Sequence, residues 1–208
     1  MTGIEWAVFW LAWCLAGGSP GPATMAIAGT AMQRGRKYSL SIALGILLGS
    51  ATWGVAAALG ISALMLANAW MFEVLRYLGA GYLLLLAFKS LRSALGQTQT
   101  LQERAVGGGA GTVFWKGALL HLTNPKAILS WGAVYSLVLP NDAATTDLLS
   151  LFAFLYSGSI LVFIGYAFMF STAPLVLAYK RARRIFELTF AAFFGAASLK
   201  ILTARFVE

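Results

Sequence analysis

Acidic side chains are scarce in this chain. Seven Asp and Glu stand against 15 Lys and Arg, and all seven lie near the ends of long apolar runs. Charged residues make up only 11% of the 208 positions and hydrophobic ones 60%. A soluble domain of this length does not carry several uncharged stretches that are each long enough to cross a bilayer, so the composition points to a polytopic membrane protein. Cysteine is nearly absent too: Cys14 stands alone, which excludes an intrachain disulfide and a Cys-rich metal site. With one Cys, one His and no acid well inside an apolar run, little is left for a metal-ion carrier, which needs clustered ligands. No Lys or Arg precedes the first apolar run, whereas Glu5 does, and Trp13 before Cys14 is too large for a lipoprotein cleavage site. The first run is therefore expected to stay in place as a helix rather than to be removed as a signal peptide. The net charge of +8 does not indicate nucleic acid, because the basic residues fall in short clusters between apolar runs, as in cytoplasmic loops of membrane proteins.

What is present is a succession of six apolar runs, roughly Ile4–Met32, Tyr38–Ala67, Trp70–Phe88, Thr112–Leu139, Leu148–Val176 and Ile185–Ala204. A bilayer core of roughly 30 Å takes about 20 helical residues, so each run predicts one span. Trp6, Trp10, Trp13, Trp70, Trp115 and Trp131 fall mostly near span ends, which predicts interfacial positions. Arg34, Arg36 and Lys37 follow span one; Lys89, Arg92 and Arg104 follow span three; Lys180, Arg181, Arg183 and Arg184 follow span five. The other two connections carry few basic residues: Pro140–Asp147 has two aspartates and none, and the one after span two has only Glu73 and Arg76. The positive-inside rule then predicts three cytoplasmic connections and both termini external. Residues 93–111, with their Gln-Thr and Gly-Gly-Gly tracts, read as a flexible cytoplasmic linker between two halves.

Two of the spans are interrupted. Gly17-Gly18-Ser19-Pro20-Gly21-Pro22 falls inside a stretch without charge from Trp6 to Gln33, and Asn124-Pro125 falls inside span four. Proline lacks the backbone N–H and clashes with the preceding turn, so neither site continues a regular helix. Backbone groups freed at membrane depth are tolerated only where protein packs on them or a polar cavity meets them. Pro125 lies 103 residues after Pro22, and half the chain is 104 residues. With three spans per half, the second half enters the membrane the other way up, and the charge of corresponding connections inverts accordingly. The sequence therefore predicts an all-α membrane protein of six transmembrane helices. They form a 3+3 inverted repeat (about 1–92 and 112–208) within one domain over 1–208, with helices one and four broken. Paired broken helices at matching positions point to a transporter's midplane site.

Asn124 is a favoured N-cap and Pro125 a favoured first helical residue, so a half-helix is expected to start there; Ser19-Pro20 or Gly21-Pro22 could start another. Two half-helix N-termini suit an anionic group such as a carboxylate. Lys126 is a cation in the first turn of such a half-helix and deep in an apolar run, both costly unless an anion binds there. The structural alternative is that Lys126 snorkels, pairs with a carboxylate or bonds carbonyls freed at the break. Gly45-x-x-x-Gly49, extended by Ala51 and Gly54, reads as a packing face inside the protomer; Gly79, Gly81 and Gly195 read likewise.

Ser19-Pro20-Gly21-Pro22 and Asn124-Pro125-Lys126-Ala127 resemble the LysE/RhtB family of amino-acid exporters, of the lysine exporter and homoserine-threonine exporter type. So do the glycine-rich second span and Tyr77-Leu78-Gly79-Ala80-Gly81-Tyr82-Leu83 followed by Lys89. The resemblance runs over the whole chain. It implies a secondary transporter of the bacterial inner membrane that exports an amino acid or small derivative, driven by the proton motive force. No cofactor is implied, and the coupling ion would be H+. The substrate is expected at Ser19, Pro20, Gly21, Pro22 and Ala23 and at Thr123, Asn124 and Pro125, with Lys126 on its carboxylate. Many members carry Asp or Asn directly after Pro-Gly-Pro, where this chain has Ala23, so no role of that side chain carries over. With no charged partner for a side chain in sight, the reading leans to neutral or small apolar substrates. The oligomeric state is open, a homo-oligomer included. One competing reading is an intramembrane serine hydrolase, since Gly17-Gly18-Ser19-Pro20-Gly21 fits G-x-S-x-G and His121 is the sole imidazole.

Overall fold

The computed structural model describes residues 3–67, 69–96, 105–138 and 143–203, and every regular element among them is an α-helix. α1 (Gly3–Gly18) and α2 (Pro22–Arg34) cover the first apolar run, α3 (Arg36–Ala67) the second and α4 (Ala69–Leu95) the third. α5 (Ala110–Leu122) and α6 (Pro125–Val138) cover the fourth, followed by α7 (Thr145–Met169) and α8 (Ala173–Thr203). Arg36–Gly60 within α3 and the whole of α7 are each long and apolar enough to cross a membrane as one helix. α1, α2, α5 and α6 have 16, 13, 13 and 14 residues, each short of the roughly 20 that a span takes.

Local chemistry sets the helix ends. Proline opens both α2 and α6, where its missing N–H costs nothing. Asn124 caps α6, its Oδ1 accepting the Lys126 N–H at 3.1 Å. Between α2 and α3 the chain turns on Gly35 at φ 77°, a left-handed backbone that a side chain would strain, and its N–H closes on the Ala31 carbonyl. Pro174 stands in the first turn of α8, so the connection after α7 shrinks to residues 170–172. The sequence placed Lys180, Arg181, Arg183 and Arg184 in that connection; they lie on the first turns of α8 instead, since Lys and Arg are good helix formers.

α3 and α7 hold the centre and pack on each other. One core cluster joins Ala23, Ala26 and Ile27 of α2 to Ile42, Ile46 and Leu47 of α3, Val113 of α5 and Phe163 of α7. A second joins Trp13 of α1 to Ala58 of α3, Trp131 and Tyr135 of α6 and Leu151 and Leu155 of α7. α3 meets α5 backbone to backbone: a Cβ on Gly45 would stand 1.9 Å from the Phe114 carbonyl oxygen, and one on Gly117 2.5 Å from that of Ile42. The small-residue face is thus a contact within the chain. Gly81 does not share that role, having nothing within 4 Å of where its Cβ would be. On the outer face of α3, Leu44, Leu48, Val55 and Leu59 are exposed in a helical stripe, and Leu84, Leu85 and Phe88 are exposed on α4. An uncovered apolar surface of that extent suits lipid.

Residues 97–104, half of the expected linker, and residues 139–142 lie outside the described residues. The linker's later part is tied down rather than free. Arg34 donates to the Val106 carbonyl at 2.5 Å and to that of Gly108 at 2.8 Å, and the Val106 N–H reaches Thr30 Oγ1 at 3.2 Å. Glu187, near the start of the sixth apolar run, is buried against α4. It accepts from Ser93 Oγ at 2.8 Å, with Arg183 at 3.9 Å.

Candidate functional site

The end of α1 leaves carbonyls that no further helical turn satisfies, and those of Ala16, Gly18 and Ser19 find side chains. Ser19 Oγ donates to the Ala16 carbonyl at 2.9 Å, and Tyr166 Oη of α7 donates to that of Gly18 at 2.5 Å. The Ser19 carbonyl accepts from Thr24 Oγ1 at 3.2 Å and from Lys126 Nζ at 3.1 Å. Lys126 also donates to Ser19 Oγ, and its stem passes so close to Gly21 that a Cβ there would touch it at 3.8 Å. The lysine backbone sits at the positive end of α6, but its four-carbon stem carries the ammonium to the negative end of α1. A charge unfavourable to its own half-helix is thereby favourable to the other one.

A cavity of about 50 Å³ lies around this contact. Of the residues that the sequence singles out, Ser19, Gly21, Ala23, Asn124 and Lys126 line it. Pro20, Pro22, Thr123 and Pro125 do not. They set the backbone, and Thr123 is exposed with its hydroxyl donating back to the Leu119 carbonyl at 2.9 Å. The wall also contains His121, which the sequence set beside Ser19 in the competing reading, and Trp13, Thr24, Ser50, Trp131, Ser159 and Phe163, which sequence reasoning either missed or placed elsewhere. Trp13 and Trp131 were expected at the membrane interface; both are buried, ring against ring at 4.7 Å in an edge-on contact. Trp13 Nε1 donates to Ser159 Oγ of α7 at 3.1 Å, and Trp131 Nε1 to Ser50 Oγ of α3 at 3.2 Å. Spacing gives no sign of these pairs, because each joins residues from opposite halves of the chain. No carboxylate lines the cavity among the described residues.

A partly buried ammonium, two helix ends that meet at prolines and a wall without a carboxylate among the described residues thus stand together. Residues 17–205 match the family of LysE type translocators. The chain belongs to that family. It is 29% identical over 195 residues to the threonine efflux protein of Escherichia coli (strain K12), covering 90% of this chain and 92% of that one. To the leucine efflux protein of Enterobacter sp. (strain 638) it is 33% identical over 157 residues, 70% of this chain and 72% of that one. No solved structure matches. This translocator is a helical membrane protein and not an enzyme, so the hydrolase reading of Ser19 and His121 is set aside.

Proposed function

We propose that this translocator is a secondary transporter of the bacterial inner membrane that exports a neutral amino acid, driven by the proton motive force. The observation that carries the proposal is the Lys126 ammonium at the meeting of two opened helices, where a substrate carboxylate can replace Ser19 as its partner. The names of the relatives, threonine efflux and leucine efflux, support a neutral amino acid, as does a wall without acids. A cavity of about 50 Å³ has room for on the order of three to five waters. An amino acid is larger, so loading requires the helices around it to part, in keeping with alternating access.

The inverted repeat gains support from the packing. α3 of the first half packs on α5 and α6 of the second, and α7 of the second packs on α1 and α2 of the first. The two Trp–Ser hydrogen bonds follow the same exchange, α1 to α7 and α6 to α3. Six spans with both termini external, two repeats of about 1–92 and 112–208 in a single domain, and a broken helix opening each repeat fit this exchange.

The test is rescue from toxicity. Bacteria expressing the chain are challenged with each amino acid or its toxic analogue, and the rescued case is followed as efflux of the labelled compound. We expect rescue by a neutral amino acid, with efflux abolished by a protonophore. Efflux that persists at full rate with the proton gradient dissipated would remove the proposed driving force. Rescue confined to charged amino acids would overturn the substrate class.

A further inference from the structure

His121 lies on the last turn of α5 and forms part of the cavity wall, yet its Nδ1 is the buried side-chain nitrogen or oxygen without a hydrogen-bond partner among the described residues. The residue is only 5% exposed. It is also clamped. Gly49 of α3 comes so near that a Cβ on it would stand 2.9 Å from His121 Cβ, and the Phe163 ring abuts the imidazole edge-on at 5.5 Å. The ring cannot swing out to bulk solvent, and a buried polar atom left unpaired by the protein costs more than a hydrogen bond normally gains. Five other polar residues of the wall are engaged within the protein. Ser50 and Ser159 accept from the two tryptophans, Ser19 and Thr24 secure the end of α1, and Asn124 caps α6.

We propose that His121 Nδ1 receives the α-ammonium group of the amino acid whose carboxylate lies on Lys126. This rests on the reading given under Proposed function and deepens it: the site is built for a zwitterion. An α-amino acid carries its ammonium and carboxylate on one carbon, so a receptor needs an acceptor and a cation facing the same small space. With its proton on Nε2, the imidazole presents a lone pair at Nδ1, which accepts an ammonium N–H without bringing a second charge into the membrane. A carboxylate there would draw cations as well and would pair with Lys126 in the empty protein. A histidine does neither. The wall's apolar part, Trp13, Trp131 and Phe163, is left to the substrate's side chain.

The test measures binding to the purified full-length protein in detergent. L-leucine and L-threonine are each compared with the des-amino counterpart, 4-methylpentanoate and 3-hydroxybutyrate. The wild type should bind the amino acid more tightly than its des-amino acid. His121→Phe should weaken amino-acid binding roughly ten- to hundredfold, the worth of a hydrogen bond to a charged group, and change des-amino binding by less than about twofold. His121→Asn should restore most of the difference, because its amide oxygen stands near the place of Nδ1. Equal losses for both members of a pair would mark a packing effect and overturn the proposal. So would a wild type that does not tell the members apart, a result that needs no variant to fold. A phenylalanine variant that discriminates as well as the wild type overturns this proposal alone. A wild type that binds neither amino acid overturns the neutral-substrate reading together with it.

Discussion

Replacing Lys126 by methionine removes a cation from an apolar setting and a donor from the Ser19 carbonyl at the same time. The carbonyl keeps Thr24 Oγ1, so it is not orphaned, and the desolvated charge is gone. The two effects nearly offset, and the empty protein is expected to lose about 1 kcal/mol or less. Binding is another matter: the Met variant should show no ligand-dependent rise in melting temperature, where the wild type gains stability by mass action. Lys126→Arg keeps the charge on a planar fork too wide for the single-point contact at Ser19, and should retain only part of that rise. Melting curves in detergent with and without L-leucine or L-threonine check both. A Met variant that still gains stability from the ligand would show the lysine to be a brace for α1 alone. Lys126 was legible in the sequence because a cation deep inside an apolar run demands an explanation. Tyr166, Ser50 and Ser159 were not, since a hydroxyl or a serine in a helix carries no such demand, and their partners lie far along the chain. The tryptophans misled for a physical reason: an indole suits an interface or a core equally well, and only its N–H partner decides.

At the scale of elements, the contact of α3 with α5 is the most exacting in the fold. Gly45→Ala puts a methyl 1.9 Å from the Phe114 carbonyl oxygen, so the two helices must separate. A loss of about 1–3 kcal/mol is expected, as for other overpacked contacts. Gly60→Ala, in the same helix with open space around it, is expected to gain about 0.4–1 kcal/mol by stiffening the unfolded chain. Thermal melts of the two variants beside the wild type check the contrast, and equal behaviour would mean that α3 and α5 are not held at this distance. Proline and glycine made most helix boundaries legible, because the chemistry of a cap or a missing N–H is local. The start of α8 was less so. A basic cluster signals which side of the membrane it faces, but Lys and Arg extend a helix as readily as they populate a loop. The pinned end of the linker also escaped, since Gly-Gly-Gly signals freedom and Arg34, which removes it, lies more than 70 residues earlier.

At the scale of the whole molecule the proposed topology is open to direct labelling. In a Cys14→Ser background, single cysteines at Gly35, Gly96 and Ser171 should react with a membrane-impermeant maleimide only in inside-out vesicles. One at Ala144 should react only in intact spheroplasts. Labelling of Ser171 from outside would break the alternation on which the inverted repeat depends. The proposed repeat rests on two proline motifs half a chain apart and on loop charge; how the two parts of the chain interlock was not legible, since that is set by side chains which meet only in three dimensions. The interlocking has a consequence for the birth of the protein. Lys126 lies 107 residues after Ser19, and Tyr166 lies 148 residues after Gly18. At roughly 5–20 residues per second of synthesis, the opened end of α1 waits on the order of 5–20 seconds for its lysine, and longer for its tyrosine. Throughout that interval its carbonyls have neither partner. The nascent first half therefore has reason to stay at the insertion machinery, beside water or a chaperoning groove, until the second half emerges to release it. A ribosome that stalls in the linker would leave behind a segment whose Gly18 carbonyl stays open to lipid, a natural mark for proteolysis.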